Sequence, residues 1–526
     1  MGREESSATE RAVDDPVVVE AGGVAPGPPE DVAAPGSMKS SVVSSATWSA
    51  VGRMGTQALQ FLVGLGLARL LVPADFGLLA SVYVVTGFTV LIFDMGLSAA
   101  LIHQREVRQR DLDTAFWLNA IGGVVFLGLL AALGPLVANF YGDDRLTYIT
   151  PLAGLSFAFA LGVSHSAQLQ RAMKFRQLAI IEVSVGFLGN ATTLIAAAAG
   201  LGPLALVTGP ALQSIALTVL LWIVVPWRPR GFIDRESMAR LWRFSGGMLG
   251  FSIANFAGRN SDNLLIGRFL GASPLGFYNR AYTLMLLPLQ QTSQVVGRVM
   301  FPALASMGDD RVRLARAYRR TIAVMTAVTM PVLVGMAVVA DGLVPLLWGH
   351  QWLDTIPLLQ VLCLAGLPQC LSSSEGWLYQ SQGRTSLMFK MGLLSTVIGV
   401  AGIVVGLHWG AFGVACGVFV TAWGYQPFAL RMACGTIGLK GSRVILDILP
   451  TVSIALGMGA VVWITPLVLH ASRESVWVLI VQVLVGSAVY VTALRLFRRR
   501  LLQDLVSMVP AKLSPKRLLR RGARSA

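Results

Sequence analysis

About fourteen apolar stretches divide the chain between residues 42 and 497, each long enough for a helix across a hydrocarbon core of about 30 Å. In lipid only helices and closed barrels satisfy every backbone N–H and C=O, and apolar runs this long are not the alternating segments of barrel strands. Composition agrees: 54% of the 526 residues are hydrophobic and 13% are charged, far from the balance of a soluble domain. The expected fold class is all-α, a polytopic membrane protein of about 14 transmembrane helices.

The connecting loops are too short to house a soluble domain. The net charge of +15 sits in those loops and in the tail after Phe497, where it is a topology signal, so no nucleic-acid partner is expected. Cys363, Cys370, Cys416 and Cys434 lie in or at the ends of apolar segments. They show neither CxxC pairing nor histidine at ligand spacing and read as small core residues, so no metal site and no cofactor is expected. Residues 1–40 are rich in Pro, Gly, Ala and acids and lack aromatics, which predicts a disordered acidic tail rather than a signal peptide or a span. Met38, just before the first span, is a candidate start.

The loops after even-numbered spans are basic. They carry Arg105, Arg108 and Arg110; Arg171, Lys174 and Arg176; Arg228 to Arg243; Arg311 to Arg320; Arg384 and Lys390; and Arg431, Lys440 and Arg443. The opposite loops hold only Arg145 and Arg473. The charge bias of short loops sets orientation, so both termini are expected in the cytoplasm of a multi-pass protein of the cytoplasmic membrane. The basic tail from Arg498 to Arg524 reads as an orientation anchor that can also lie against anionic membrane lipids.

ARLLVPADFGLLASVY (68–83) and GRFLGASPLGFYNRAY (267–282) repeat at one constant offset, matching Arg69 to Arg268, Leu71 to Leu270, Gly77 to Gly276 and Tyr83 to Tyr282. The two copies fall at the same turn of two six-helix halves, which predicts two pseudo-symmetric lobes followed by two C-terminal helices. Six intervening helices leave both halves in the same orientation, and transport sites tend to lie between such parallel repeats. The expected organisation is an acidic tail over 1–40, an N-lobe over 41–226, a cytoplasmic linker over 227–238 and a C-lobe over 239–436. Helices 13 and 14 follow over 437–497, and a basic cytoplasmic tail over 498–526.

Polar residues recur three or four apart where lipid would forbid them. The first span carries Ser45, Ser49, Arg53, Thr56 and Gln60; the seventh carries Ser252, Asn255, Arg259 and Asp262. The eighth adds Arg280, Thr283, Gln291, Gln294 and Arg298. Such spacings gather each set on one helix face. A charged side chain near mid-membrane costs about 2.5–3.5 kcal/mol on the insertion scale, so these faces are expected to line a hydrated cavity. For Asp262 an internal ion pair with Arg259 is the competing explanation. Asp262, Glu375 in the SSSEG stretch and Glu182 are the candidates for ion coupling, while Asp94 reads as a cap or turn residue.

The phrases FGLLA (76–80), FDMGLSAALI (93–102), LQRAMKF (169–175), DNLLIGRFLGASPLGFYNRAY (262–282), VMFPALASM (299–307) and WGHQWLDTIPLL (348–359) carry a family resemblance. From about Ser44 to Leu439 the chain resembles the polysaccharide or lipopolysaccharide export flippases of the multidrug/oligosaccharidyl-lipid/polysaccharide exporter superfamily. The resemblance implies two six-helix lobes around a cationic cavity and a polyprenyl-diphosphate-linked oligosaccharide turned over between leaflets. It carries no defined set of site residues. Arginines in a hydrated cavity suit a diphosphate, whose oxygens match the guanidinium fork, while Gln, Asn, Ser and Thr suit the glycan. The expected substrate-facing set is Arg53, Thr56, Gln60, Asn255, Arg259, Asp262, Arg280, Gln291, Gln294 and Arg298. A glycan polymerase and glycosyltransferases of the same pathway are the expected protein partners.

Three rivals stand beside this expectation. A cation-coupled multidrug antiporter of the same superfamily would favour intramembrane carboxylates over arginines. A flippase for the peptidoglycan lipid precursor shares the headgroup chemistry. A polyprenyl-linked glycan polymerase or glycosyltransferase would need a substantial outer loop or an acidic motif in the first one, which here is only VPAD. No catalytic motif and no GxxxxGK[ST] phrase occurs, so a transporter rather than an enzyme is expected.

Overall fold

In the computed structural model, every regular element among the described residues is a helix. The structure describes residues 55–57, 59–94, 108–308 and 310–508, apart from the side chains of 89–94, 239–254 and 506–508. Arg53, Ser45, Ser49, Arg105, the tail over 1–40 with Met38, and the basic residues from Lys512 to Arg524 lie outside the described residues.

The helices run α1 (59–70), α2 (Pro73–Asp94), α3 (Gln109–Tyr141), α4 (Leu146–Ala158), α5 (Val163–Arg171), α6 (Phe175–Ala198), α7 (Ala205–Val224), α8 (Arg235–Leu270) and α9 (Ala272–Ser306). They continue as α10 (Arg311–Trp348), α11 (Thr355–Ser381), α12 (Thr385–Gly406), α13 (Gly410–Gly435), α14 (Gly441–Val468), α15 (Val476–Phe497) and α16 (Arg499–Met508). Eight helical stretches among the described residues are long and apolar enough to cross a membrane, or nine when α4 and α5, bent by 42°, make one span. One of the eight, Thr385–Gly435, holds both α12 and α13. α8 and α9, 36 and 35 residues long, have the length of a span but carry too many polar residues to join that set. With α1 and α2, this helix order accounts for the expected spans, and the chain is an all-helical multi-pass membrane protein.

The break between α4 and α5 is chemically closed from α7. Thr218 Oγ1 accepts from the Leu161 amide at 3.1 Å and donates to the Phe159 carbonyl, and Trp222 Nε1 donates to the Leu161 carbonyl at 3.3 Å. Groups freed by a helix break must be paired in this way where water is scarce. At the start of α2, Pro73 takes the first helical position, where its missing N–H costs nothing, and Asp75 Oδ2 accepts from the Val72 amide at 3.3 Å.

The chain forms two compact units. One takes the described residues up to Leu67 with Val85–Asn139 and Asp143–Ile253; the other takes Ala68–Val84, Phe140–Gly142 and Ala254 onward. In the first unit, Leu112, Phe116, Leu169, Leu178, Leu221, Val225 and Trp227 form a shared core. The irregular segment after α7 is tied to the start of α3. Asp113 accepts from the amides of Arg230 and Gly231 at 3.2 and 2.9 Å, and Trp117 Nε1 donates to the Gly231 carbonyl at 2.9 Å. Helix α8 then begins at Arg235.

The second unit contains the repeated phrases, and they pack on each other reciprocally. A Cβ at Gly77 would overlap the Ala272 carbonyl, and one at Gly276 would overlap the Pro73 carbonyl. Under the repeat, Pro73 is the counterpart of Ala272 and Gly77 of Gly276. The ends of α1 and α8 behave the same way. Arg69 Nη2 donates to the Leu346 carbonyl at 2.6 Å, at the end of α10; its counterpart Arg268 lies 5.4 Å over the ring of Phe140, at the end of α3. The Ala68 carbonyl accepts from Trp352 Nε1 at 2.8 Å, while a Cβ at its counterpart Gly267 would press on the Tyr141 ring.

Candidate functional site

α8 and α9 carry most of the polar residues expected in the C-lobe. On α8, Asn255 and Arg259 are exposed, and Ser261 and Asp262 are buried. The burial of Asp262 comes from α9: the fully buried Tyr278 donates its hydroxyl to Asp262 Oδ2 at 3.1 Å. Oδ1 accepts from the Asn263 amide at 2.8 Å. Tyr278 in turn stacks on Tyr282 with ring centroids 5.9 Å apart. Among the described residues no ion pair joins Arg259 to Asp262, so neutral donors, rather than the arginine one turn away, hold this carboxylate.

On α9 the alternation is sharp. Thr292 and Val296 are buried, whereas Gln291, Gln294, Val295 and Arg298 are exposed, at the 3, 4 and 7 spacing of one helical stripe. Gly297 sets that orientation, because a Cβ there would strike the indole of Trp377 on α11. The close approach turns the neighbouring Arg298 away from the packed side.

Arg280 sits elsewhere. Its guanidinium lies 3.8 Å from the centroid of Phe76 and 6.0 Å from that of Trp352. Phe76, Phe277 and Trp348 all contact Trp352, at centroid distances of 5.3, 6.0 and 5.7 Å. The Arg280 Nε has no hydrogen-bond partner among the described residues. A cation on an aromatic face in a desolvated setting gains about 2 kcal/mol, so this arginine is a packed component of the corner.

Thr56 is half-buried, near Gly186 of α6, and Gln60 is exposed; both belong to the first unit. Glu182 is exposed on α6. Glu375 is buried on α11, where Gln426 Nε2 of α13 donates to its Oε1 at 2.5 Å and Ser372 Oγ donates to Gln426 Oε1 at 3.2 Å. Gln426 and Tyr278 were not expected from the sequence. A glutamine inside the apolar span around AWGYQPF was a legible signal, whereas a tyrosine in a repeated phrase looks like any packing residue.

A family model described as polysaccharide biosynthesis protein matches residues 66–357. The succinoglycan biosynthesis transport protein ExoT of Rhizobium meliloti is 30% identical over 90% of this chain and 96% of its own length. The lipopolysaccharide biosynthesis protein WzxC of Escherichia coli is 29% identical over 72% of this chain and 78% of its own. Among solved structures, the lipid II flippase MurJ in an inward closed conformation aligns with a TM-score of 0.68 at 15% identity, covering 86% of this chain and 99% of that one. An inward-facing multidrug resistance MATE family transporter of the MOP superfamily aligns with a TM-score of 0.57 at 14% identity, covering 74% and 96%. These structural likenesses establish the fold.

Proposed function

The chain belongs to the polysaccharide biosynthesis protein family, and we propose that within it the protein is a flippase for a polyprenyl-diphosphate-linked oligosaccharide. The observation that carries this reading is the sorting of charge in the second unit. The exposed ionisable positions on the polar stripes of α8 and α9 are Arg259 and Arg298, while the carboxylates Asp262 and Glu375 are buried against neutral donors. Exposed arginines favour an anionic headgroup, and the same sorting disfavours a multidrug antiporter that must attract cations. Arg259 and Arg298 supply fork-shaped donors for diphosphate oxygens. Asn255, Gln291 and Gln294 present neutral hydrogen-bonding groups to the glycan. Arg53, Thr56 and Gln60 of the first span are proposed as substrate-facing as well, and Arg280 as a support.

The charge bias of the loops supports a cytoplasmic-membrane location with both termini inside. A glycan polymerase and glycosyltransferases are the partners such a carrier would serve. The test is deletion of the gene followed by analysis of both leaflets. Accumulation of a lipid-linked oligosaccharide in the cytoplasmic leaflet, reversed by the wild-type gene, is expected. Accumulation of the peptidoglycan lipid precursor instead would transfer the assignment to that substrate, and unchanged lipid intermediates with altered drug sensitivity would overturn the proposal.

A further inference from the structure

We propose that Glu375 is a proton-binding site: its carboxyl carries a proton in this conformation and exchanges it during turnover, coupling flipping to the proton gradient. The proposal rests on the flippase reading for what is coupled, but the site stands on its own geometry.

Glu375 lies in the C-terminal third of α11, 7% exposed, in a helix packed against α9, α10, α12 and α13. Its Oε1 accepts from Gln426 Nε2, and the Ser372 hydroxyl fixes the Gln426 amide by donating to its other end. Oε2 is therefore the oxygen left for a proton. Among the described residues no Lys, Arg or His reaches ion-pair distance of the carboxyl. The ionisable groups that face it are Tyr318 from α10, Cys370 and Tyr379 from its own helix, and Tyr425 and Cys434 from α13. All five are neutral when protonated, so none offsets a negative charge. An ionised carboxylate buried with one amide donor and no counter-ion costs several kcal/mol, and the group avoids that cost by holding a proton.

A second observation points the same way. The hydroxyl of Tyr379, one helical turn from Glu375 and 3% exposed, has no hydrogen-bond partner among the described residues. Residues four apart share a helix face, and Tyr379 lies within electrostatic reach of Glu375 without bonding to it, which makes it the relay group of this proposal. The chemistry favours a proton over a metal cation. Glu375 is met by an amide N–H, and hard cations require several oxygen ligands. No group of three or more His, Cys, Asp or Glu side chains assembles among the described residues.

The site is mechanically joined to the exposed polar stripe. Trp377, two residues after Glu375, seats the backbone of Gly297, and Arg298 follows directly. Headgroup binding that shifts α9 would press on the turn of α11 that holds the carboxyl, opening it to water and releasing the proton.

Infrared difference spectroscopy of the purified full-length protein reads the proton directly. Wild type minus Glu375→Gln should show a protonated-carboxyl C=O band at neutral pH, and Glu375→Asp should shift that band rather than delete it. A difference spectrum that shows ionised-carboxylate bands in place of the protonated-carboxyl band would overturn the site. In proteoliposomes with a short-chain polyprenyl-diphosphate oligosaccharide, an imposed pH gradient should accelerate flipping by wild type and leave the Glu375→Gln rate unchanged. A wild type that flips without regard to the gradient, or a Glu375→Gln variant that still responds to it, would sink the coupling. Absence of flipping by wild type in either condition would fail the flippase reading, while the carboxyl band still decides whether Glu375 holds a proton.

Discussion

Gly77 and Gly276 make the same contact from opposite sides: each passes so close to a carbonyl at the counterpart of its own neighbouring turn that neither can carry a Cβ. Contacts of this i-to-j and j-to-i form are the mark of a two-fold relationship. Here the relationship lies within one chain, because the repeat makes Pro73 and Ala272 equivalent. The surrounding pairs obey it too. Arg69 reaches the end of α10 and Arg268 the last residues of α3.

Gly77→Ala and Gly276→Ala should each destabilise the protein by about 1–3 kcal/mol, the usual cost of overpacking a site that cannot relax. The two substitutions act on one shared approach, so the second should cost less than the first, a coupling that a double-mutant cycle resolves. Thermal unfolding of the detergent-purified protein measures both. A Gly77→Ala variant that melts with wild type would mean the corner yields freely.

The helical class and order of spans were legible because lipid allows few solutions to a long apolar run. The repeat was legible at Arg69, Gly77 and their counterparts, and the turns at Gly77 and Gly276 prove to pack on each other. What the sequence left open was which way each polar side chain faces. Arg259 and Asp262 are three residues apart, and spacing alone allowed an ion pair; the arrival of Tyr278 from α9 decided against it. Arg280 belongs to the same periodic set as Arg298, yet it lies on Phe76, a residue about two hundred positions away in the chain. No helical periodicity encodes such a long-range contact.

Tyr278→Phe should cost about 1–3 kcal/mol, because it strips a buried carboxylate of one of its two donors. Asp262→Asn should be milder, since the amide can still accept from Asn263 and donate to the tyrosine hydroxyl oxygen. Melting of the two variants side by side tests the order, and a more damaging Asp262→Asn would show that the negative charge itself is required.

At the far end of the bundle, α16 is held by Asp504, which accepts from Arg320 Nη2 at 2.6 Å, while Asp447 accepts from Arg319 Nη2 at 2.8 Å. Exposed pairs of this kind contribute about 0–1 kcal/mol and weaken with salt. Asp504→Ala should therefore leave global melting unchanged and speed tryptic cleavage at Arg499 and Arg500, and high salt should do the same to wild type. Equal cleavage rates in both proteins at low salt would show that apolar contacts such as that of buried Leu501 hold the helix alone.

The arginines should separate into two groups. Arg259→Ala and Arg298→Ala remove exposed side chains and should abolish glycan export while leaving membrane protein levels normal, with Arg→Lys rescuing only in part because the fork is lost. Arg280→Ala also removes a guanidinium packed on Phe76, so both export and protein level should fall. Export and immunoblotting in the same cells distinguish the cases. Wild-type export from both Arg259→Ala and Arg298→Ala would move the antiporter reading ahead.

Topology offers a check independent of cargo. Gln351 Nε2 donates to the Ala68 and Leu71 carbonyls at 2.7 and 3.2 Å, which holds the segment after α10 beside the loop between α1 and α2. Ala74 and His350 must then lie at one end of the unit and report one side of the membrane. The charge bias of the loops predicts that this side is outside, since positive charge is retained in the cytoplasm. Single cysteines at Ala74 and His350 should react with an impermeant maleimide in intact cells, and cysteines at Arg110, Arg230 and Arg500 only after permeabilisation. The background should carry Cys416→Ser, because Cys363, Cys370 and Cys434 are buried while Cys416 is partly accessible. Labelling of Ala74 and His350 from opposite sides would contradict the packing of this corner. Labelling of both only from inside would invert the orientation while leaving the fold intact.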